Sequence, residues 1–331
     1  MVLILAISGC RPDDPTYPNW KVYDRSNSDI PSDTVYTLIV DENDAVWMNS
    51  GNIGFISKFG GENWYNTMIP GTDTFPHDWV SEIAVSPLNT IWMFHTSGRL
   101  LELVNGQWIV HADNSPFGIV QSMEFSGSGE LWAATSQGLA TYVGASWSVF
   151  NTSNSGIAAS ELFGLLLDSD GTVWCSSVGN PLGDPTGLIH YDFSEWNFYT
   201  ADNSQLTANW IPFMELDNAG VKWFVANDGI VSVQGTEWFS FDFEGTALET
   251  KAIRAFVIDQ HGGKWFGTDK GLVYWKEYVW GVFNQNNSGL PSDQVNDVAL
   301  DGTGNIYIAT DRGLAIFNRL NSTACNVSSH I

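Results

Sequence analysis

Seven times along this chain an apolar residue stands twelve positions ahead of an aromatic one. The pairs are Val35 and Trp47, Val80 and Trp92, Val120 and Trp132, Leu162 and Trp174, Ile211 and Trp223, Ile253 and Trp265, and Val295 and Tyr307. Each aromatic ends a turn-rich segment such as "DENDAVW", "DSDGTVW" or "DGTGNIY". A second tryptophan follows the first six aromatics by 15 to 22 residues, at Trp64, Trp108, Trp147, Trp196, Trp238 and Trp280. The seventh unit has no such tryptophan, but Trp20 precedes Val35 by 15 residues, as Trp280 precedes Val295. A fixed period of about 42 residues is the mark of a repeat architecture. The offset between the two chain ends predicts that the N-terminal strand supplies what the last unit lacks. The expected fold is all-β: a seven-bladed β-propeller of four-stranded blades, with the last blade closed by the N-terminal strand.

The strands follow from the pattern. The first carries apolar residues at fixed offsets, as in Val295, Val298 and Leu300, and the second holds the first aromatic. Stretches such as "GLAIF", "GLVYW" and "GLATY" are the third, and the fourth carries the second tryptophan. Gly and Asp between the first two strands supply the positive-φ positions of a hairpin turn. Closing the set removes the unpaired strand edges that an open stack leaves at its ends. The fourth unit carries an insertion, "VGNPLGDPT" (178–186), between its second and third strands.

The formal net charge of −24, with only 13 Lys and Arg in 331 residues, repels polyanions and sets nucleic acid aside as a partner. No apolar run reaches the ~18 residues of a membrane span. Residues 1–10, "MVLILAISGC", combine a short apolar segment with Ile7-Ser8-Gly9-Cys10, which resembles the lipobox of bacterial lipoproteins. That resemblance implies a signal peptide over 1–10, lipidation of Cys10, and a polar tether over 11–18. The propeller then spans 19–318, and 319–331 form a C-terminal tail without repeat text. Cys175 and Cys325 have no metal-ligand spacing, and neither a metal nor a cofactor is expected.

The text "NSGLPSDQVNDVALDGTGNIYIATDRGLAIFN" resembles the two-component regulator propeller repeat, through its Leu-Pro-Ser-Asp turn, Val-x-x-Val-x-Leu-Asp strand, Gly before the aromatic, and Thr-Asp-x-Gly-Leu step. The resemblance covers roughly residues 19 to 318. It implies a periplasmic sensor propeller of the kind that serves membrane histidine kinases and responds to oligosaccharides. This chain departs from that family in having seven units rather than a double propeller. It also shows no immunoglobulin-like linker, membrane span or kinase, so the expectation is a lipid-anchored, monomeric binding protein of the cell envelope that cannot signal by itself.

Loops leading into the first strands are the usual ligand face of a propeller. The position before each apolar anchor reads Thr34, Trp79, Ile119, Glu161, Trp210, Ala252 and Gln294; the position after reads Tyr36, Ser81, Gln121, Phe163, Pro212, Arg254 and Asn296. Both columns vary while the anchors do not. A pyranose ring stacks its apolar face on aromatics and offers hydroxyls to polar groups. Trp79, Trp210, Tyr36 and Phe163 are therefore the expected platforms, with Glu161 and Arg254 as polar partners; no catalytic residue is assigned. Asp168 and Asp170 in "DSDGTVW" are two carboxylates without the distant Glu of a calcium loop, and they read as a structural turn. No HExxH, Gly-x-Ser-x-Gly or phosphate-loop motif occurs. The alternatives are a protein-interaction platform in an envelope complex and, behind it, a propeller lyase or glycosidase.

Overall fold

The computed structural model describes residues 19–51, 54–70, 80–179, 183–226, 228–277 and 279–318. Residues 1–18 and 319–331, hence Cys10 and the tail, lie outside the described residues, as does Trp79. The fold is an all-β, seven-bladed β-propeller: seven antiparallel four-stranded sheets follow one another along the chain. The first strands are Val35–Val40, Val80–Val85, Val120–Phe125, Leu162–Leu167, Phe213–Leu216, Ile253–Ile258 and Val295–Leu300. In each of the first six sheets the four strands pair in chain order; in the seventh, strands Val295–Leu300, Ile306–Thr310 and Gly313–Phe317 are completed by Trp20–Tyr23. Trp20 is the register partner of Phe317 and Tyr23 that of Leu314. The described residues form two compact units, one holding sheets 1, 6 and 7 and the other sheets 2 to 5.

The core lies between consecutive sheets rather than within any one. In the first unit, Trp20, Trp265, Phe283, Val298, Ile308 and Phe317 fill the space between sheets 6 and 7. Val35, Met48, Phe59, Tyr307, Leu314 and Ile316 do the same between sheets 7 and 1. The second unit repeats this between sheets 2 and 3, 3 and 4, and 4 and 5. Second strands such as Ile91–His95, Leu131–Thr135, Lys264–Thr268 and Ile306–Thr310 are buried at every position. Alternation is lost because both faces of a sheet are covered.

In sheets 1, 5, 6 and 7 the turn before the aromatic is a hydrogen-bonded lock built on an aspartate. Asp41 Oδ1 accepts from the amides of Asn43 (2.9 Å) and Ala45 (3.0 Å), while its Oδ2 accepts from the indole of Trp47 at 2.8 Å. Asp217 holds Trp223, Asp259 holds Trp265, and Asp301 holds Tyr307 in the same way, at 2.9, 3.1 and 3.1 Å. The carboxylate thus ends the turn and fixes the aromatic six residues on. Sheet 4 breaks the pattern: Asp168 Oδ2 pairs with Lys222 of sheet 5, the buried Trp174 indole nitrogen has no partner, and its ring stacks on His190 at 4.1 Å. Asp170 accepts from the amide (3.0 Å) and hydroxyl (2.8 Å) of Thr172. The two carboxylates of "DSDGTVW" therefore serve a turn and an inter-sheet ion pair.

Two stability predictions follow from this packing. Trp20 is 2 % exposed and lies against Phe317 (4.8 Å between ring centroids) and Phe283 (6.0 Å). Trp20→Ala should cost about 3–5 kcal/mol and lower the thermal midpoint by several degrees. Leu88→Ala, at an 85 % exposed site, should leave it within experimental scatter. Asp259→Ala removes the acceptor of two amides and one indole. It should cost about 2–3 kcal/mol in urea unfolding, and a loss under 0.5 kcal/mol would show the turn to be held by backbone bonds alone.

Candidate functional site

Each first strand begins where a loop from the previous sheet arrives. Four of these loops share one internal network. Asn27, Asn154, Asn203 and Asn287 each accept from a backbone amide three residues earlier, at 3.0, 2.9, 2.7 and 2.8 Å. Their amide nitrogens donate to the carbonyls of Val22, Val149, Phe198 and Val282. The serine that follows in each case bonds back across the turn. These loops are thereby fixed, and so is the point at which each first strand starts.

At that point the strand carries a β-bulge. The pairing register with the second strand shifts by one residue between Val35 and Thr37, Val80 and Glu82, Val120 and Ser122, Leu162 and Leu165, Ile253 and Ala255, and Val295 and Asp297. A bulge adds one unpaired residue, sharpens the local twist and re-aims its side chain. The extra residues are Tyr36, Ser81, Gln121, Phe163 with Gly164, Arg254 and Asn296, one of the two columns expected to carry recognition. In sheet 5 the position is Pro212, which has no amide to donate, and the strand begins one residue later at Phe213 without a bulge.

In the first unit Tyr36 is 48 % exposed, and the neighbouring Asn296 donates from Nδ2 to Val35 O at 2.8 Å. Arg254 is exposed, and the Gln294 amide, turned so that its oxygen faces the guanidinium, accepts from Arg254 Nε at 2.7 Å. In the second unit Phe163 and Trp210 come from successive sheets and meet edge to face, with 4.8 Å between centroids and 61° between planes. Both rings are half-buried, as is Glu161, whose carbonyl accepts from Val178 N at 3.1 Å. The structure thus brings Phe163 to Trp210, and Arg254 to Gln294. Gln294 and Asn296 were in the variable columns but not among the expected contacts. Arg99, a loop arginine of the second unit, is paired with Asp113 at 3.1 Å. Among the described residues no group of three or more His, Cys, Asp and Glu is arranged to hold a metal ion.

Further along the same strands sit two carboxyls in unusual surroundings. Asp297 Oδ2 accepts from Leu38 N at 2.7 Å and from Thr37 Oγ1 at 3.2 Å, linking sheet 7 to sheet 1. Glu124 Oε2 accepts from Leu167 N at 2.9 Å, linking sheet 3 to sheet 4. Burial pushes Asp297 up to about 6 and Glu124 up to about 7, against the opposing pull of those hydrogen bonds. Each keeps a little accessible surface, which screens it in part.

Because the folded pKa lies above the unfolded one, the fold holds these protons more tightly than the open chain does. The resulting stabilisation is complete below about pH 4 and is lost as the pH rises through 6 and 7. After allowance for screening it amounts to about 1–2 kcal/mol for each group. The thermal midpoint should therefore fall between pH 5 and pH 8, and the fall should shrink in Glu124→Gln and Asp297→Asn. A pH slope unchanged in both variants would assign it to other groups.

No family model and no curated protein matches the chain. Solved structures do. The extracellular domain of BT4673 from B. thetaiotaomicron, described as a hybrid two-component system, is similar with a TM-score of 0.72 at 16 % identity, over 90 % of this chain and 39 % of that one. PorZ, a surface component of the type-IX secretion system of Porphyromonas gingivalis, is similar at 17 % identity with a TM-score of 0.70, over 89 % of this chain and 48 % of that one. Virginiamycin B lyase from Staphylococcus aureus is similar at 14 % identity with a TM-score of 0.70, over 90 % of this chain and 97 % of that one. The chain spans less than half the length of the first two. At these identities the likeness establishes the propeller fold.

Proposed function

We propose that this protein is a propeller of the bacterial cell envelope that binds an oligosaccharide at the loop-bearing ends of its first strands, without transforming it. The observation that carries the reading is the bulge repeated in six of seven sheets, at one of the two columns where residue type varies. A constant frame with a changing presented residue is the construction of a recognition surface. The half-buried, edge-to-face Phe163 and Trp210 offer apolar ring surface, and Glu161, two residues before Phe163, adds a carboxylate that can accept from sugar hydroxyls. Likeness to extracellular domains of two-component systems and to a bacterial surface component supports the envelope location and a sensor-like role. Lipidation of Cys10 belongs to the same proposal and would tether the propeller to the membrane.

A second reading, a platform for a protein partner, draws on the outermost strand of sheet 5. Phe239 and Phe241 share one face of strand Glu237–Asp242 and are 59 % and 39 % exposed. Exposed aromatics in such a row are a feature of protein contact surfaces.

Thermal melts of the chain from residue 11 onward, against plant, host and microbial oligosaccharides, separate the readings. A ligand at 100 times its Kd should add ~2.7 kcal/mol and raise the midpoint by a few degrees. Loss of the rise in Trp210→Ala or Phe163→Ala would put the site in the second unit, and loss in Tyr36→Ala in the first, while Phe239→Ser leaves it intact. Sugar breakdown in the same mixtures would replace binding by catalysis. A panel without any shift would turn the reading to the protein partner.

A further inference from the structure

The chain carries 37 Asp and Glu against 13 Lys and Arg, yet four of those cations stand at one end of two consecutive sheets. Lys251 and Arg254 flank the start of the first strand of sheet 6. Lys270 lies in the turn between its second and third strands, and Arg312 holds the equivalent place in sheet 7. The equivalence is structural: the amides of Lys270 and Arg312 each donate at 3.1 Å to the threonine two residues earlier, Thr268 and Thr310. Lys270, Arg254 and Arg312 are exposed, and Lys251 is half-buried.

Among the described residues none of the four is ion-paired, whereas Lys58, Arg99 and Lys222 elsewhere are each within 4 Å of a carboxylate. Lys251 Nζ donates to Ala247 O, and Lys270 Nζ to Thr250 O at 3.3 Å. The neighbouring acids are engaged by backbone amides instead. Asp269 accepts from Ala252 N at 2.9 Å, Asp293 from Gln285 N at 2.7 Å, and Glu249 from Gly245 N at 2.9 Å. Asp311, beside Arg312, is exposed. Lys251 and Lys270 also repel each other: burial first, and then the charge of Lys270, pull Lys251 below its ordinary pKa, with Asp269 opposing. Two like charges held close weaken a fold, and Asp269 offsets this repulsion only in part. No part of the packing described above uses them. Such an arrangement is relieved when an anion arrives.

We propose that sheets 6 and 7 receive a carboxylate of the ligand, so that the oligosaccharide bound here is a short acidic one, built with uronate residues. The inference rests on the sugar-binding reading and sharpens it. Arg254 is the residue suited to a planar carboxylate, because its guanidinium donates two parallel hydrogen bonds. It sits on a bulge, and the Gln294 side chain fixes its outlook. Lys251 and Lys270 add point charge. Tyr36, two sheets on in the same unit and exposed, offers a ring for the sugar face. The ligand is short because the chain as a whole, at −24, repels a long polyanion.

Calorimetric titration of the full chain with trisaccharides of galacturonate, glucuronate, mannuronate and guluronate, with their carboxyl-reduced neutral forms, and with sodium sulfate tests this. At least one uronate should bind ten-fold or more tightly than its reduced form. Arg254→Gln and Lys270→Gln should each weaken that uronate about ten-fold or more, while the free protein stays folded and Lys270→Gln, which relieves the repulsion of Lys251, does not lower its thermal midpoint. Arg254→Lys should fall between. Equal binding of acidic and reduced sugars would overturn the acidic ligand while leaving the sugar site standing. Binding of sulfate as tight as that of the best uronate, with the same dependence on Arg254, would overturn the sugar. Silence with every acidic and neutral sugar would remove both readings together.

Discussion

Everything in this structure depends on the inability of a small four-stranded sheet to bury its own faces. A single sheet of about twenty residues has two apolar sides and no core. Here the second strands are covered on both sides, and the buried clusters are shared between consecutive sheets. Residues on those faces are therefore constrained twice, by their own sheet and by the next. The loop ends are constrained by neither. That division leaves the protein free to vary Thr34, Glu161, Trp210 or Gln294 while the anchors beside them stay apolar.

The same constraint explains what was legible in the sequence. Anchor and aromatic keep a twelve-residue interval because the segment from anchor through turn to second strand has constant length in every sheet, with a bulge in six and Pro212 in the fifth. The strand borrowed from the N-terminus was equally plain, since Trp20 stands where a fourth-strand tryptophan is needed. The locks were less so. That Asp41, Asp217, Asp259 and Asp301 each hold an aromatic six positions on requires knowing that the turn brings a carboxylate back over the ring. The spacing was visible, but its purpose was not.

The bulge had left a trace too. Val295, Val298 and Leu300 are apolar at intervals of three and then two, which strict alternation forbids and one extra residue restores. The candidate site was legible as two columns and no further. Phe163 and Trp210 lie on different sheets, and their meeting is a matter of how one sheet packs on the next. Lys251 and Lys270 lie in different loops of one sheet, and text alone gives no reason to associate them.

The strand that completes the last sheet carries a consequence for how the chain reaches this state. Trp20–Tyr23 can pair only with Gly313–Phe317, at the far end of the propeller sequence. Nearly every residue between must be made before the pairing exists, so the entropic cost of joining the ends falls on a single late step. Until then the aromatic face of Trp20 is exposed, along with the unfilled edge of sheet 7. A chain that stops short of Gly313–Phe317 therefore leaves an open seam in the propeller.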